Sequence, residues 1–171
     1  MEKDQNPWSV PVALDHIPDT GLHMEFAAPE TVRADLARLA GLRELPRLSA
    51  TFDLTRGGAG VHVIGRVSAQ VGQTCVVTLE PIETELEEPI DLVFAPPAQA
   101  QGKDLKVDEE APEPLVDSKV DLGAIATEFL LLGIDPYPRK AGAEFIPVKA
   151  DDGSARPFAA LEALKKRLGG G

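Results

Sequence analysis

With Cys75 as its only cysteine, the chain cannot close an internal disulfide, which suits a reducing compartment. Zinc needs three or four ligands, and one thiol without a neighbouring ligand cluster does not supply them, so no metal or other cofactor is expected. Positive charge is also scarce: 17 Lys+Arg stand against 28 Asp+Glu, a formal net charge of -11. A broad nucleic-acid face needs many cations to displace phosphate counterions, so this balance argues against one. Long apolar runs are missing, because charges, Gly or Pro interrupt every candidate, and no membrane span is expected. Residues 1–7 carry neither a basic region nor an apolar stretch behind it, so no signal peptide is expected and the location reads as cytoplasmic. What is present is a hydrophobic fraction of 43% in 171 residues, enough for one domain with a real core plus irregular segments.

Alternation of apolar and polar residues marks the strands. Val10, Val12 and Leu14 form a first set, and Leu22, Met24 and Phe26 a second. Leu48, Ala50, Phe52 and Leu54 form a third, separated by the glycine-rich Arg56–Gly60 turn from a fourth, Val61, Val63, Val67, Ala69 and Val71. The fourth is extended in the same parity through Cys75, Val77 and Leu79. A fifth set, Ile82, Leu86, Ile90, Leu92 and Phe94, faces inward opposite Glu83, Glu85, Glu87 and Asp91. Pro81 and Pro89 place it at an edge, because neither donates a ladder hydrogen bond.

Three helices are expected. One spans Glu30–Ala40, with Val32, Leu36 and Leu39 inward and Gly41 as its stop. Another spans Leu122–Leu132, capped by Asp121, with an inner stripe of Leu122, Ile125, Phe129 and Leu132 and a stop at Gly133. The last runs from Pro157 to Leu168, with Phe158, Leu161, Leu164 and Leu168 on one face. The fold class is therefore α+β: a mainly antiparallel sheet of about five strands, with barrel-like closure as an option, and two or three helices. Residues 1–95 form the sheet with one helix, 96–119 an acidic, Pro-rich, mobile linker, and 120–171 the helical part of the same domain.

The search for catalytic motifs is mostly negative. The stretch Gly60-Val61-His62-Val63-Ile64-Gly65-Arg66-Val67 superficially matches a phosphate loop, but Arg66-Val67 replaces Lys-Ser/Thr and the interior is a β-branched strand. Asp15 and His16 are adjacent on a strand, so their side chains point to opposite faces and form no dyad. The carboxylates of Glu83–Asp91 read as an aggregation-resistant acidic edge. Cys75 shares the parity of Val61–Val71 and reads as a small core residue.

Three segments carry a resemblance to a known family. They are Cys75-Val76-Val77-Thr78-Leu79-Glu80-Pro81-Ile82 with Asp91–Pro96, then Val120–Pro138, and finally Arg156–Lys166. In this order they resemble the motifs of the YceD family: a strand with a cysteine pair leading into an acidic segment, an Asp-Leu-Gly helix with a central Glu before a Leu-Pro-x-x-Pro exit, and a Pro-Phe-Ala helix with a basic end. The matching positions here are Cys75, then Asp121, Leu122, Gly123, Glu128, Pro136 and Pro138, then the Arg156–Lys166 segment. The chain departs from the family pattern at Thr78, where many members carry the second cysteine, and in 139–145, which has none. A zinc site built on that pair would be lost in this branch.

The resemblance implies a non-enzymatic role in accumulation of large-subunit (23S) ribosomal RNA, in ribosome assembly, with rRNA or assembly proteins as partners. The residues imply where contact would fall. From Arg139 to Gly171 seven bases face four acids, so an acidic chain has a locally basic end. Candidate partner- or RNA-binding residues are Arg139, Lys140, Arg156, Phe158, Leu161, Leu164, Lys165, Lys166 and Arg167, with Arg33, Arg38, Arg43 and Arg47 as a second set. The alternative is a protein-interaction adaptor that docks through its C-terminal helix and touches no RNA.

Overall fold

The computed structural model describes residues 6–58, 60–96 and 112–145. The chain enters through a short strand, β1 (Pro11–Ala13), a single 3-10 turn at Leu14–His16, and β2 (Leu22–Ala27). Helix α1 (Glu30–Leu39) follows, then three long strands, β3 (Glu44–Gly57), β4 (Gly60–Thr74) and β5 (Pro81–Ala95). The two-residue β6 (Glu113–Pro114), β7 (Lys119–Asp121) and helix α2 (Leu122–Gly133) complete the order.

The main sheet has the order β2-β3-β4-β5-β6, antiparallel except for the parallel β5–β6 pair, while β1 and β7 form a separate two-stranded ribbon. The sheet is open. Its end strands β2 and β6 do not pair, which corrects the barrel-like option: β6 pairs only with Phe94 and Ala95, too short an edge to carry closure. Apart from those two residues, β5 has no outer strand partner among the described residues, as its prolines require.

Alternation decides the faces. Leu48, Ala50, Phe52 and Leu54 of β3 and Val61, Val63, Val67, Ala69 and Val71 of β4 are buried together with Leu86 and Ile90 of β5. Leu36 and Ala37 of α1 and Leu122, Ile125, Ala126 and Leu130 of α2 join the same apolar cluster, as do Trp8 and Ile17. The solvent face is polar and paired across strands: His23 meets Asp53 at 2.7 Å and His62 meets Asp91 at 2.6 Å, Arg47 reaches Glu85, and Gln70 donates to Glu83. The glycines of the phosphate-loop look-alike have packing roles. A Cβ on Gly65 would stand 2.5 Å from the Thr51 carbonyl oxygen and 2.6 Å from the Phe52 ring.

Helix α1 ends as its sequence predicts. Gly41 takes φ +65, and the Leu42 N–H donates to the Ala37 carbonyl at 2.9 Å, a Schellman closure. Its inner face is Leu36 and Ala37, however, and Leu39 is 63% exposed. In α2 the buried face runs through Leu122, Ile125, Ala126 and Leu130, with Phe129 half-buried and Leu132 exposed, which corrects the expected stripe. Nearly every residue of this helix is apolar, so periodicity alone did not select the face.

Two further expectations change. Asp15 and His16 lie in the 3-10 turn rather than on a strand, and the Asp15 carboxylate and His16 ring approach to 4.0 Å on the surface. Strand β4 stops at Thr74 instead of running through Leu79, because the chain turns back at Cys75–Glu80 to enter β5. Of the expected linker, residues 97–111 lie outside the described residues, and 113–119 contribute β6 and the start of β7. The expected helix over 157–168 also lies outside the described residues.

Candidate functional site

Two motifs that stand far apart in sequence meet at one end of the sheet. The β4–β5 turn is closed by Cys75 N–H donating to the Glu80 carbonyl at 2.8 Å and Leu79 N–H donating to the Cys75 carbonyl at 2.9 Å. Leu79 pays for this with φ 61, a left-handed conformation that a branched side chain adopts reluctantly. The exit from α2 then docks on the turn. Gln73 Nε2 donates to the Asp135 carbonyl at 2.8 Å, and Val76 N–H donates to the Pro138 carbonyl at 2.9 Å. Lys140 Nζ reaches a Glu80 carboxylate oxygen at 3.1 Å.

Cys75 sits at the centre of this joint, without exposed surface. Its Sγ accepts the backbone N–H of Thr78 and that of Lys140, each at 3.4 Å. The turn therefore brings residue 78 back over the sulfur, against the expectation, implied by extending the fourth strand through Leu79, that residues 75 and 78 face opposite sides. That expectation assumed an uninterrupted strand. The thiol is held down to about 6, chiefly by the Lys140 N–H, then by the hydroxyl and N–H of Thr78, against a smaller upward push from burial. Glu80 is likewise lowered, first by its hydrogen bond from Lys140 and then by Thr78.

A zinc ion does not fit this place. Thr78 occupies the position of the second thiol, the Lys140 ammonium is held by Glu80, and no group of three His, Cys, Asp or Glu is gathered among the described residues. Backbone N–H donors and the Thr78 hydroxyl fill the role of holding the sulfur.

The ionisation of Cys75 has a measurable consequence. A depressed folded value makes the folded chain bind fewer protons than the unfolded one between about 6 and the ordinary thiol value of about 8.5. The resulting stabilisation is fully present above that ordinary value and is lost as pH falls through about 6. Thiolate absorbance near 240 nm is expected to titrate around pH 6 in the folded chain and about two and a half units higher in denaturant. Cys75→Ala should remove that part of the pH dependence of unfolding. A folded midpoint above 8 would show that the N–H donors do not hold a thiolate.

The second motif is organised by Asp121. Its Oδ1 accepts the N–H groups of Gly123 and Ala124, both at 3.1 Å, and that of Val10 at 2.7 Å, while Oδ2 accepts the Ser9 hydroxyl at 2.6 Å. One carboxylate thus caps α2 and ties it to the N-terminal segment. Gly123 is required by the same crossing: a Cβ there would stand 2.7 Å from the Trp8 carbonyl oxygen. Leu122 is fully buried, Glu128 is exposed on the outer face of α2, and Pro138 is buried under the exit while Pro136 is exposed. Residues not singled out from sequence complete the joint: Trp8 and Ser9, Gln73, Glu80 and Thr127, whose hydroxyl donates to the Gly123 carbonyl at 2.9 Å. No local pattern marks them, because apart from the bond from Thr127 to Gly123 their contacts run to partners distant in sequence.

Of the candidate contact residues, Arg139 is exposed and Lys140 is engaged with Glu80. Arg156, Phe158, Leu161, Leu164, Lys165, Lys166 and Arg167 lie outside the described residues. In the second set Arg33 donates to the Ala28 carbonyl, Arg38 pairs with Asp35 and Arg47 with Glu85. Arg43 has no ion-pair partner among the described residues.

The features define an α+β protein whose distinctive residues build a structural joint rather than a cluster of reactive groups. The model of the family described as large ribosomal RNA subunit accumulation protein YceD matches residues 63–165, more than half of the chain. The chain belongs to the YceD family, and the matched span runs from β4 through the Cys75 turn and α2. No curated protein and no solved structure gives a match. No helix among the described residues is long and apolar enough to cross a membrane.

Proposed function

We propose that this chain supports the accumulation of 23S rRNA as a non-enzymatic factor in large-subunit assembly. The observation that carries this reading is the family match over residues 63–165, whose description names large-subunit rRNA accumulation. The electrostatics support a small contact. The solvent face of the sheet pairs its acids with Arg47, Arg66 and the histidines, leaving no row of free cations there. RNA contact therefore falls to Arg139, Arg156, Lys165, Lys166 and Arg167, with Arg43 as a lesser contributor. Lys140 serves the turn through Glu80.

Depletion of the protein is expected to lower the ratio of large- to small-subunit rRNA. Crosslinking followed by sequencing of the attached RNA is expected to recover 23S fragments. Joint charge reversal at Lys165 and Lys166 should weaken that recovery and flatten its salt dependence, each lost phosphate contact removing about 0.9 from the log-log slope. An unchanged rRNA ratio on depletion would overturn the assignment. Crosslinks to assembly proteins without any to rRNA would replace RNA contact by the adaptor role.

A further inference from the structure

The least explained surface of the molecule lies beside α2. Its outer face exposes Leu132 at 72%, which shares a groove with Val116, 70% exposed in the β6–β7 segment. The groove, of about 510 Å³, runs between them, floored by half-buried Leu92, Phe94 and Phe129. Clustered apolar surface of this kind marks a place where something binds. The rim is acidic: Glu113, Asp117, Asp121 and Glu128 line it against one base, Lys119. An anionic rim repels phosphates, so a nucleic acid is the wrong occupant. The groove calls for an apolar stripe carried on a cationic segment.

The chain contains such a segment. Residues 156–168 carry Phe158, Leu161, Leu164 and Leu168 at helical spacing, with Arg156, Lys165, Lys166 and Arg167 against the single acid Glu162. A helix of this length is marginal in water without a surface to pack on. The groove lies along the helix from which the described chain exits toward Phe145. Eleven further residues, 146–156, precede Pro157, and extended they span roughly 36 Å or more. That is about the distance across a compact domain this size, whose radius of gyration of about 14 Å corresponds to a diameter of roughly 36 Å. Reach is no obstacle.

We propose that the chain's own segment Pro157–Leu168 docks as a helix in the α2 groove, its apolar stripe on Leu132, Phe129 and Phe94 and its cations against the acidic rim. On a helical wheel Lys166 lies opposite the stripe, so docking leaves it free for RNA, while the cations held by the rim reach RNA only when the segment is undocked.

The test is amide exchange on the full-length chain at a concentration where light scattering shows a monomer. Amides of 158–168 are expected to exchange at least tenfold more slowly than an unstructured chain. Leu132→Asp and Leu164→Asp should each abolish that protection while the Val61–Val71 strand keeps its own. Leu132 is largely exposed, so its substitution spares the core. Should that variant nevertheless lose strand protection, Leu164→Asp decides alone. Unprotected 158–168 amides in the unsubstituted chain, or protection untouched by Leu164→Asp, would overturn the proposal. So would protection that disappears on dilution together with a dimer, which would assign the groove to a second copy.

Discussion

An Asp121→Ala chain is expected to be less stable by about 3 kcal/mol, the combined loss of a helix cap and of further hydrogen bonds to a charged acceptor. The size follows from geometry. Asp121 accepts from Gly123 and Ala124 at the start of α2 and from Val10 and Ser9 in the N-terminal segment. Removal leaves three backbone N–H groups without this partner, at a crossing where Trp8 and Leu122 are buried. Asp121→Asn keeps an acceptor oxygen without the charge, so it should retain roughly half of the loss or better. Urea unfolding of the three chains measures this directly. A cost for Asp121→Ala within about 0.5 kcal/mol of zero, as for an ordinary surface substitution, would mean that the N-terminal segment does not depend on the cap.

Gly123→Val should cost about as much, by overpacking instead of loss. The added Cβ would meet the Trp8 carbonyl oxygen at 2.7 Å, the Trp8 carbonyl carbon at 2.9 Å and the Val10 nitrogen at 3.0 Å. All three are backbone atoms and cannot swing aside as a side-chain tip would, which places the cost at or above about 3 kcal/mol, the upper end for overpacking. Trp8 is the only tryptophan and is 4% exposed, so its fluorescence reports the displacement. Its emission is expected to shift to the red in Gly123→Val and to a smaller degree in Gly123→Ala. Unshifted emission with unchanged stability would show that the segment bearing Trp8 does not lie against α2.

Both substitutions alter residues whose family pattern is visible in the sequence, yet the reasons differ from any catalytic reading. Asp121 joins two chain segments, Gly123 permits their approach, and Cys75 receives N–H donors from two apposed turns. The chain's departure from the family pattern at Thr78 is compatible with this joint: the Thr78 N–H donates to the sulfur as that of any non-proline residue would, and the Thr78 hydroxyl adds to the hold on the thiol.

Much of this was determined by local sequence. The alternation of Val61–Val71 against His62–Gln70 dictated which face of β4 is buried, because successive strand residues point to opposite sides. Asp121 before an apolar run and Gly41 after another marked helix ends through capping chemistry that operates within a few residues, whereas Gly133, expected as a stop, is the last helical residue of α2 and has no positive φ. Tertiary structure alone decided the rest. The inner face of α2 could not be chosen from a helix apolar nearly all round, so contact with β4 and β5 selected Leu130 and left Leu132 outside. The end of β4 at Thr74 depended on the turn that closes between Cys75 and Glu80 and on the α2 exit docking over it. The surroundings of Cys75 were invisible in sequence for the same reason: its partners stand three and 65 residues away, and only the folded chain brings their N–H groups to one sulfur.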